Sequence, residues 1–168
     1  MLIPRYDISK RERCEMPRHA EQATLAYNAD ELFDVVANVA DYPRFVPWCT
    51  GARIRSASET EIVADLTIGF GPFQESFVSQ VTLERPKQVL VHGIDGPLEH
   101  LTNSWTFTPV GDRTHVDFSI DFQFKSYLLD HVANSMFQEA ATRMMSAFES
   151  RVHLLHAMHR HATPPRSP

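Results

Sequence analysis

The residues best suited to acid–base chemistry lie in segments where polar and apolar side chains alternate. In "THVDFSIDFQFK" (114–125), His115, Asp117 and Asp121 alternate with valine, phenylalanine and isoleucine. This alternation is typical of a β-strand with one wet face, so these groups, like His100, are predicted to point toward water. General acid–base catalysis needs two titratable groups that converge on one substrate. The pattern therefore predicts no catalytic residues and favours a binding protein over an enzyme.

Four histidines, His153, His156, His159 and His161, invite comparison with a metal site. Steps of three residues can bring two imidazoles together on a helix, but residues 153–161 supply no acidic or cysteine ligand. Neither a nucleophile elbow nor a glycine-rich phosphate loop is present in the sequence. We expect a solvated helix end and no metal.

The elements that must position these residues follow from hydrophobic periodicity. A strand at 19–27 precedes Asn28 and Glu31, which are spaced as a capping box at the start of a helix. A second, very short helix begins at Asp41 and stops before Pro47, because the residue before a proline avoids the helical region. Further strands are predicted at 60–70, 72–83, 87–94, 98–110 and 114–125.

The period changes after Lys125. From Ser126, apolar residues recur at helical spacing to about residue 156, without proline or glycine to interrupt them. An apolar helical stripe and a half-wet sheet both become dry when the helix packs on the sheet. We therefore predict an α+β helix-grip fold, in which a curved antiparallel sheet of about six or seven strands wraps around a long C-terminal helix. Two short helices follow the first strand.

Size and charge narrow the class of protein. The chain has 168 residues and a net charge of −5, so one domain is expected and a DNA-binding surface is not. Neither a membrane span nor a secretory signal is recognised, and Cys14 and Cys49 do not indicate a disulfide. We expect a cytoplasmic protein, with peripheral contact at the inner membrane as a further hypothesis. Residues 1–15 are predicted to be a flexible arm, absent if Met16 is the start, and 158–168 a disordered tail.

Three segments together resemble a known family: "YPRFVPWC" after the first helix, "DGPLEHLTNSWTF" in a late strand, and "IDFQFKSYLLDHVANSMFQEAATRMMSAFESR" at the end. They resemble the START-like, helix-grip superfamily, which also holds polyketide cyclases. Within it, residues 16–157 are similar to the coenzyme Q-binding proteins and their bacterial relatives, some of them named ribosome-association toxins. The resemblance implies a cavity between sheet and helix that holds a polyprenylated quinone. It also implies that the protein supports respiration and needs no other cofactor.

The candidate ligand-binding residues are those whose side chains are predicted to point from the strands and the helix toward the space between them. Among them, Ala140 leaves room on the helix, while Glu75 and Asn103 are polar residues that could orient a ligand. A buried carboxylate must be protonated, paired or near the rim, and Arg44 and Arg53 are the partners considered for Glu75. The complete set is Phe45, Trp48, Phe70, Phe73, Glu75, Phe77, Leu101, Asn103, Trp105, Phe122, Phe124, Leu129, Val132, Met136, Phe137, Ala140 and Met144.

The proline-rich segment "DYPRFVPWC" has two interpretations. Its prolines hold a rigid turn beside one end of the groove, which displays Phe45, Val46 and Trp48. These side chains either plug the end of the core or form a hydrophobic lip that touches the membrane interface, where tryptophan and arginine are common.

Two other functions remain open from the sequence. A ribosome-associated regulator of translation would need a basic face, and an aromatic polyketide cyclase or dehydratase would need an inward acid–base pair. The basic residues available for the first are Arg44, Arg53, Arg55, Lys87 and Arg113, with Arg5, Lys10, Arg11 and Arg13 in the arm.

Overall fold

A computed structural model of the chain describes residues 18–162 and has the predicted fold class. The arm at 1–15 and the last part of the predicted tail, 163–168, lie outside the described residues. The helical elements are α1 (Ala29–Ala37), a 3₁₀ helix (Val39–Arg44) and α2 (Tyr127–Ala162). The strands are β1 (Arg18–Leu25), β2 (Cys49–Ala57), β3 (Glu61–Phe70), β4 (Phe73–Glu84), β5 (Gln88–Asp95), β6 (Leu98–Val110) and β7 (Arg113–Phe124).

The seven strands form one antiparallel sheet in the order β1-β7-β6-β5-β4-β3-β2. Bulges interrupt the pairing of β2 with β3, β4 with β5, and β6 with β7. Bulges bend a strand and increase its twist, so they help the sheet to curve. Strand β2 was not predicted from the sequence, because its two bulges break the alternation of side chains.

The helix α1 begins with the capping box that the sequence predicts. The Glu31 N–H donates to Asn28 Oδ1 at 2.9 Å, and the Asn28 N–H donates to Glu31 Oε2 at 3.2 Å. The 3₁₀ helix follows almost at once and carries Pro43. The hydroxyl of Tyr42 donates back to the carbonyl of Val36 at 2.6 Å, which fastens this helix to α1.

The long helix α2 contains 36 residues and is about 54 Å long. It packs against α1, β1 and β7, and its buried stripe includes Ala133, Phe137, Ala141, Phe148 and Val152. The helix extends to Ala162, past the expected end near 156, so residues 158–162 are helical and do not belong to a disordered tail. Within residues 18–162, no helix is long and apolar enough to span a membrane.

Candidate functional site

A cavity of about 120 Å3 lies between α2 and the concave face of the sheet. Its wall is almost wholly apolar and partly open, and the segment that follows the 3₁₀ helix lines part of it. The lining residues are Tyr42, Val46, Trp48, Cys49, Leu66, Ile68, Phe77, Val91, Leu98, Leu101, Asn103, Trp105, Ile120, Phe122, Phe124, Phe137, Ala140, Ala141, Met144 and Phe148.

The cavity exists because small residues of α2 lie opposite large residues of the sheet. Ala140 and Ala141 occupy the helix where it faces the aromatic side chains of β6 and β7. The helix is nevertheless well packed at neighbouring positions, since the rings of Phe122 and Phe137 lie 4.8 Å apart between their centroids. Alanine at two adjacent positions therefore leaves unfilled space inside an otherwise tight core.

Asn103 is the carboxamide in this apolar wall. The alternation of β6 points it inward between Leu101 and Trp105, and its Oδ1 is buried without a hydrogen-bond partner in the described part of the chain. Buried polar atoms are nearly always paired in folded proteins, so an unpaired oxygen beside a cavity is unusual. The amide nitrogen of Asn103 is not among the buried atoms and is the part of the side chain that a ligand or water can reach.

Tyr42 and Cys49 are the lining residues that can ionise, and each already donates its hydrogen in a hydrogen bond within the protein. The Tyr42 hydroxyl donates to the Val36 carbonyl, and the Cys49 thiol donates to the Gly51 carbonyl at 3.5 Å. Burial raises the pKa of the Tyr42 phenol, and the nearby Cys49 adds to the rise. Burial also raises the pKa of the Cys49 thiol, against a smaller opposing effect of its bond to Gly51. Both groups are therefore neutral near pH 7.

The lining offers no pair of groups for acid–base catalysis at neutral pH. What the arrangement can do is bind an uncharged, mostly apolar molecule and orient it through the Asn103 amide. An engineered cavity of roughly 150 Å3 in another protein admits benzene. In its present state, this cavity therefore has room for about one small ring and not for a long tail.

The structure brings ten of the predicted ligand-binding residues together around this cavity. They are Trp48, Phe77, Leu101, Asn103, Trp105, Phe122, Phe124, Phe137, Ala140 and Met144. Phe45, Phe73, Leu129, Val132 and Met136 lie outside its lining, and Met136 is 39% exposed. The side chain of Phe70 lies outside the described part of the structure.

Glu75 is also outside the cavity lining and only half-buried, close to the β3–β4 turn. The two arginines considered as its partners are bonded elsewhere. Arg44 pairs with Asp41 at 2.9 Å, and Arg53 pairs with Asp65 at 2.7 Å. The inward direction predicted from β4 places Glu75 opposite Ile68, which lines the cavity, so Glu75 lies near the rim and outside the lining itself.

Sequence reasoning left out of the site ten residues that line the cavity. Some of them carried a usable signal, since Ile68 and Ile120 have the inward parity of their strands and Phe148 belongs to the apolar stripe of α2. Others did not, because their positions depend on the turn after the 3₁₀ helix. The ten are Tyr42, Val46, Cys49, Leu66, Ile68, Val91, Leu98, Ile120, Ala141 and Phe148.

The proline-rich segment turns its apolar side chains inward. Val46 is buried and lines the cavity with Trp48, while Phe45 packs its ring against Phe148 with centroids 5.0 Å apart. Of the two interpretations of this segment, the arrangement corresponds to the one in which its side chains plug the end of the core. The residues that the segment exposes are Pro43, Arg44 and Pro47.

Two of the four histidines near the end of α2 contact other parts of the chain, while His159 and His161 are exposed, as expected for a solvated helix end. His153 Nδ1 lies 2.9 Å from the Tyr27 hydroxyl, and His156 Nδ1 lies 2.7 Å from Glu31 Oε1. Beside them, Arg151 forms an ion pair with Asp41. Both residues line a second, more polar cavity together with Phe45. No cluster of three or more potential metal ligands occurs within residues 18–162.

The polar groups of the central strands lie on the opposite face of the sheet. His100 pairs with Asp121, and Thr102 Oγ1 lies 3.4 Å from His92 Nδ1. None of these residues lines the cavity, as the alternation of β6 and β7 predicts.

Four of the five described basic side chains proposed for a ribosome-binding face lie beside carboxylates, although Asp65 is shared by two arginines and Asp41 also pairs with Arg151. Arg53 and Arg55 both bind Asp65, Lys87 lies 3.7 Å from Glu84, and Arg44 binds Asp41. The hydrogen bonds from Arg55 and Arg53 lower the pKa of the Asp65 carboxyl, which is therefore ionised and offsets one of their two positive charges. The arm that carries the other basic residues lies outside the described residues.

The similar proteins include coenzyme Q-binding proteins and ribosome association toxins. The chain is 34% identical over 138 residues to "Coenzyme Q-binding protein COQ10 homolog B, mitochondrial" of Xenopus laevis, which covers 79% of the chain and 57% of the frog protein. It is 36% identical over 131 residues to "Ribosome association toxin RatA" of Rickettsia prowazekii, covering 76% of the chain and 90% of that protein. The chain thus spans just over half the length of the frog relative.

Solved structures agree with the fold. The 18 kDa protein CC1736 from Caulobacter crescentus is 37% identical, with a TM-score of 0.67, covering 84% of this chain and 99% of that one. A START superfamily protein from Mycobacterium smegmatis has a TM-score of 0.66 at 17% identity, covers 82% of this chain and 98% of its own, and shows the fold alone. The sequence profile described as "Polyketide cyclase / dehydrase and lipid transport" matches residues 25–149. With this match and the START-like fold together, the chain belongs to the polyketide cyclase/dehydrase and lipid transport family.

Proposed function

We propose that the protein binds the ring of a polyprenylated quinone in the cavity and carries it without changing it chemically. The observation that carries this proposal is the uncharged, aromatic-rich cavity between sheet and helix, with one amide side chain in its lining. Similarity to a coenzyme Q-binding protein supports the choice of ligand. The cell would use such a carrier in respiratory electron transport.

The energetics of the tail explain what a carrier must do. Each buried methylene contributes about 0.8 kcal/mol, so a long isoprenoid tail leaves a bilayer only if an equally apolar surface receives it. The cavity is partly open and has room for a ring, so we propose that α2 moves away from the sheet to admit the tail. We place the protein in the cytoplasm, in peripheral contact with the inner membrane from which the quinone is taken.

Two alternative functions have less support. Ribosome association is suggested by the names of relatives, but the described basic side chains are largely paired with carboxylates. Cyclase or dehydratase chemistry is suggested by the family description, but the lining lacks a pair of groups able to exchange protons at neutral pH.

The test is to purify the protein from its native host and analyse an organic extract by mass spectrometry. We expect a polyprenyl quinone in the extract, and saturable binding of a short-tailed ubiquinone analogue in equilibrium dialysis. Ala140→Trp should fill the cavity and weaken binding about tenfold or more. Ser146→Trp adds the same side chain to an exposed position of α2 and should leave the affinity unchanged.

Three outcomes would count against quinone carriage. Extracts free of quinone, together with no binding on reconstitution, would reject it. Equal affinities of the two tryptophan variants would place the ligand elsewhere on the protein. Co-sedimentation with ribosomal subunits that weakens as salt rises, without quinone binding, would favour the translational role instead.

A further inference from the structure

We infer that Asn103 and Trp105 of β6 recognise the ring oxygens of the ligand as hydrogen-bond donors, and that the cavity therefore binds the oxidised quinone more tightly than the hydroquinone. This inference rests on the proposed function and adds a redox-state preference to it. It depends on which polar atoms of the lining remain both unpaired and accessible.

Trp105 supplies one donor. The residue is only 2% exposed, and its ring packs against those of Phe118 and Phe148, with centroids 4.4 and 4.7 Å away. Its indole nitrogen has no hydrogen-bond partner within residues 18–162, yet it is not one of the fully buried unpaired atoms. The little surface that Trp105 retains therefore includes this nitrogen. Because Trp105 lines the cavity, its N–H is available to a ligand there.

Asn103 supplies the other donor from the same strand. Its amide nitrogen has no partner in the described part of the chain and is accessible, whereas its Oδ1 is fully buried. Alternate residues of a strand point to the same side and lie about 7 Å apart along it. The two donors therefore share one wall of the cavity and can address separate oxygen atoms of one ring.

The lining is poor in acceptors by comparison. It contains no carboxylate, and the Asn103 oxygen is out of a ligand's reach. The backbone of β6 around these residues is paired on both sides, with β5 and β7. The other polar side chains of the lining are Tyr42 and Cys49, so a phenol oxygen and a thiol sulfur, the latter a weak acceptor, are what remains.

The two redox forms of the ring differ in what they need from such a wall. A quinone oxygen only accepts, so the two donors satisfy it and no hydrogen of the ligand is left unpaired. A hydroquinone oxygen can accept the same bonds, but its hydroxyl hydrogen also needs an acceptor. Since the cavity is partly open, one hydroxyl can stay in water while the other is buried. One buried, unpaired hydroxyl corresponds to roughly a fivefold loss of affinity or more.

The experiment compares the oxidised and pre-reduced forms of one short-tailed ubiquinone analogue in anaerobic equilibrium dialysis. We expect wild-type protein to bind the quinone about fivefold or more tightly. A fivefold preference for the oxidised form lowers the midpoint potential of the bound couple by about 20 mV, which redox titration can measure. Both measurements use wild-type protein and do not depend on the folding of a variant.

Three variants separate the donors from the shortage of acceptors. Trp105→Phe keeps a ring but removes the N–H, so it should weaken binding of both forms by about fivefold. Asn103→Asp replaces the accessible donor with an acceptor of the same shape and should abolish or reverse the preference. Asn134→Asp is the matched control and should retain it, because Asn134 also carries a buried, unpaired Oδ1 but lies outside the cavity lining.

Each outcome bears on the inference. Equal affinities of the two forms in wild-type protein, or tighter binding of the hydroquinone, would overturn the redox preference while leaving quinone binding intact. A preference that survives in Asn103→Asp, or unchanged affinity in Trp105→Phe, would remove these residues from ligand recognition. If neither form binds, the proposed function itself fails, and the inference fails with it.

Discussion

The two halves of α2 meet the rest of the protein in different ways. We call Tyr127–Met144 the cover segment and Met145–Ala162 the anchor segment. The cover segment faces the cavity with Phe137, Ala140 and Ala141. The anchor segment faces α1, the 3₁₀ helix and Tyr27, and there it makes polar contacts that join distant parts of the chain.

The polar contacts are distributed unequally between these segments. From the anchor segment, His153 reaches Tyr27, Arg151 reaches Asp41, and His156 reaches Glu31. In the cover segment, within the described residues, Asp130 provides the hydrogen bond to another element, accepting from the Phe124 N–H at 3.1 Å. The other side-chain bonds of the cover segment, made by residues 135, 142 and 143, stay within the helix.

This difference shows which half can move at low cost. Lifting the cover segment separates apolar surfaces and breaks one side-chain hydrogen bond to the sheet, whereas lifting the anchor segment breaks a buried ion pair as well. A helix fixed at one end and held mainly by apolar contacts at the other suits a cavity that must widen for its ligand.

The largest expected effect distinguishes the two segments by their aromatic packing. Phe148 of the anchor segment contacts the rings of Tyr42, Phe45 and Trp105, with centroids 5.4, 5.0 and 4.7 Å away. Phe148→Ala should lower the free energy of unfolding by about 4 kcal/mol. Phe137→Ala in the cover segment should cost about 1 kcal/mol less, because Phe137 contacts one ring where Phe148 contacts three.

Urea unfolding followed by circular dichroism measures both free energies. A larger loss for Phe137→Ala than for Phe148→Ala would show that the cover segment is the tighter half and would contradict the comparison.

The ion pairs give a second contrast. Asp41 and Arg151 have side chains only 11% and 18% exposed. Asp41→Ala leaves the guanidinium largely buried without this partner and should lower the free energy of unfolding by about 3 kcal/mol. Glu139→Ala removes an exposed pair with Arg143 in the cover segment and should cost about 0.5 kcal/mol or less. Denaturant midpoints that shift equally in the two variants would mean that the anchor has no special strength.

The smallest effect concerns the wall that the cover segment closes. Cys49 is buried, and its raised pKa leaves less thiolate at any given pH than an exposed cysteine has. In a Cys14→Ser background, alkylation by iodoacetamide at pH 8 should be about tenfold slower than for the unfolded protein, and it should accelerate as pH rises. Bound ligand should slow it further. Alkylation at the unfolded rate would show that the cover segment does not seal the cavity.

The sequence predicted what local periodicity determines. Strands β6 and β7 alternate cleanly, so the inward direction of Leu101, Asn103 and Trp105 followed from the pattern alone. It did not predict the cavity wall near Tyr42 and Cys49, because the backbone there follows a 3₁₀ helix and a bulge that have no fixed side-chain period.

The same limit explains the residues that were assigned to the site but lie elsewhere. Met136 shares the helical stripe, yet it lies near the edge of the surface that α2 buries and is partly exposed. Glu75 shares the strand parity, but the distance along a strand from the cavity centre is not encoded in parity. Periodicity gives the face of an element, while the depth along it comes from tertiary packing.

The sheet order has a consequence for synthesis of the chain. Strand β1 lies beside β7, whose residues lie roughly a hundred positions later, and α2 follows β7. A nascent chain that has emerged only as far as β6 therefore has an unpaired first strand, and the apolar face of its sheet is not yet covered by α2. Translation must proceed through the anchor segment before this surface is hidden. We expect the unfinished protein to be a client of chaperones that shield exposed apolar segments.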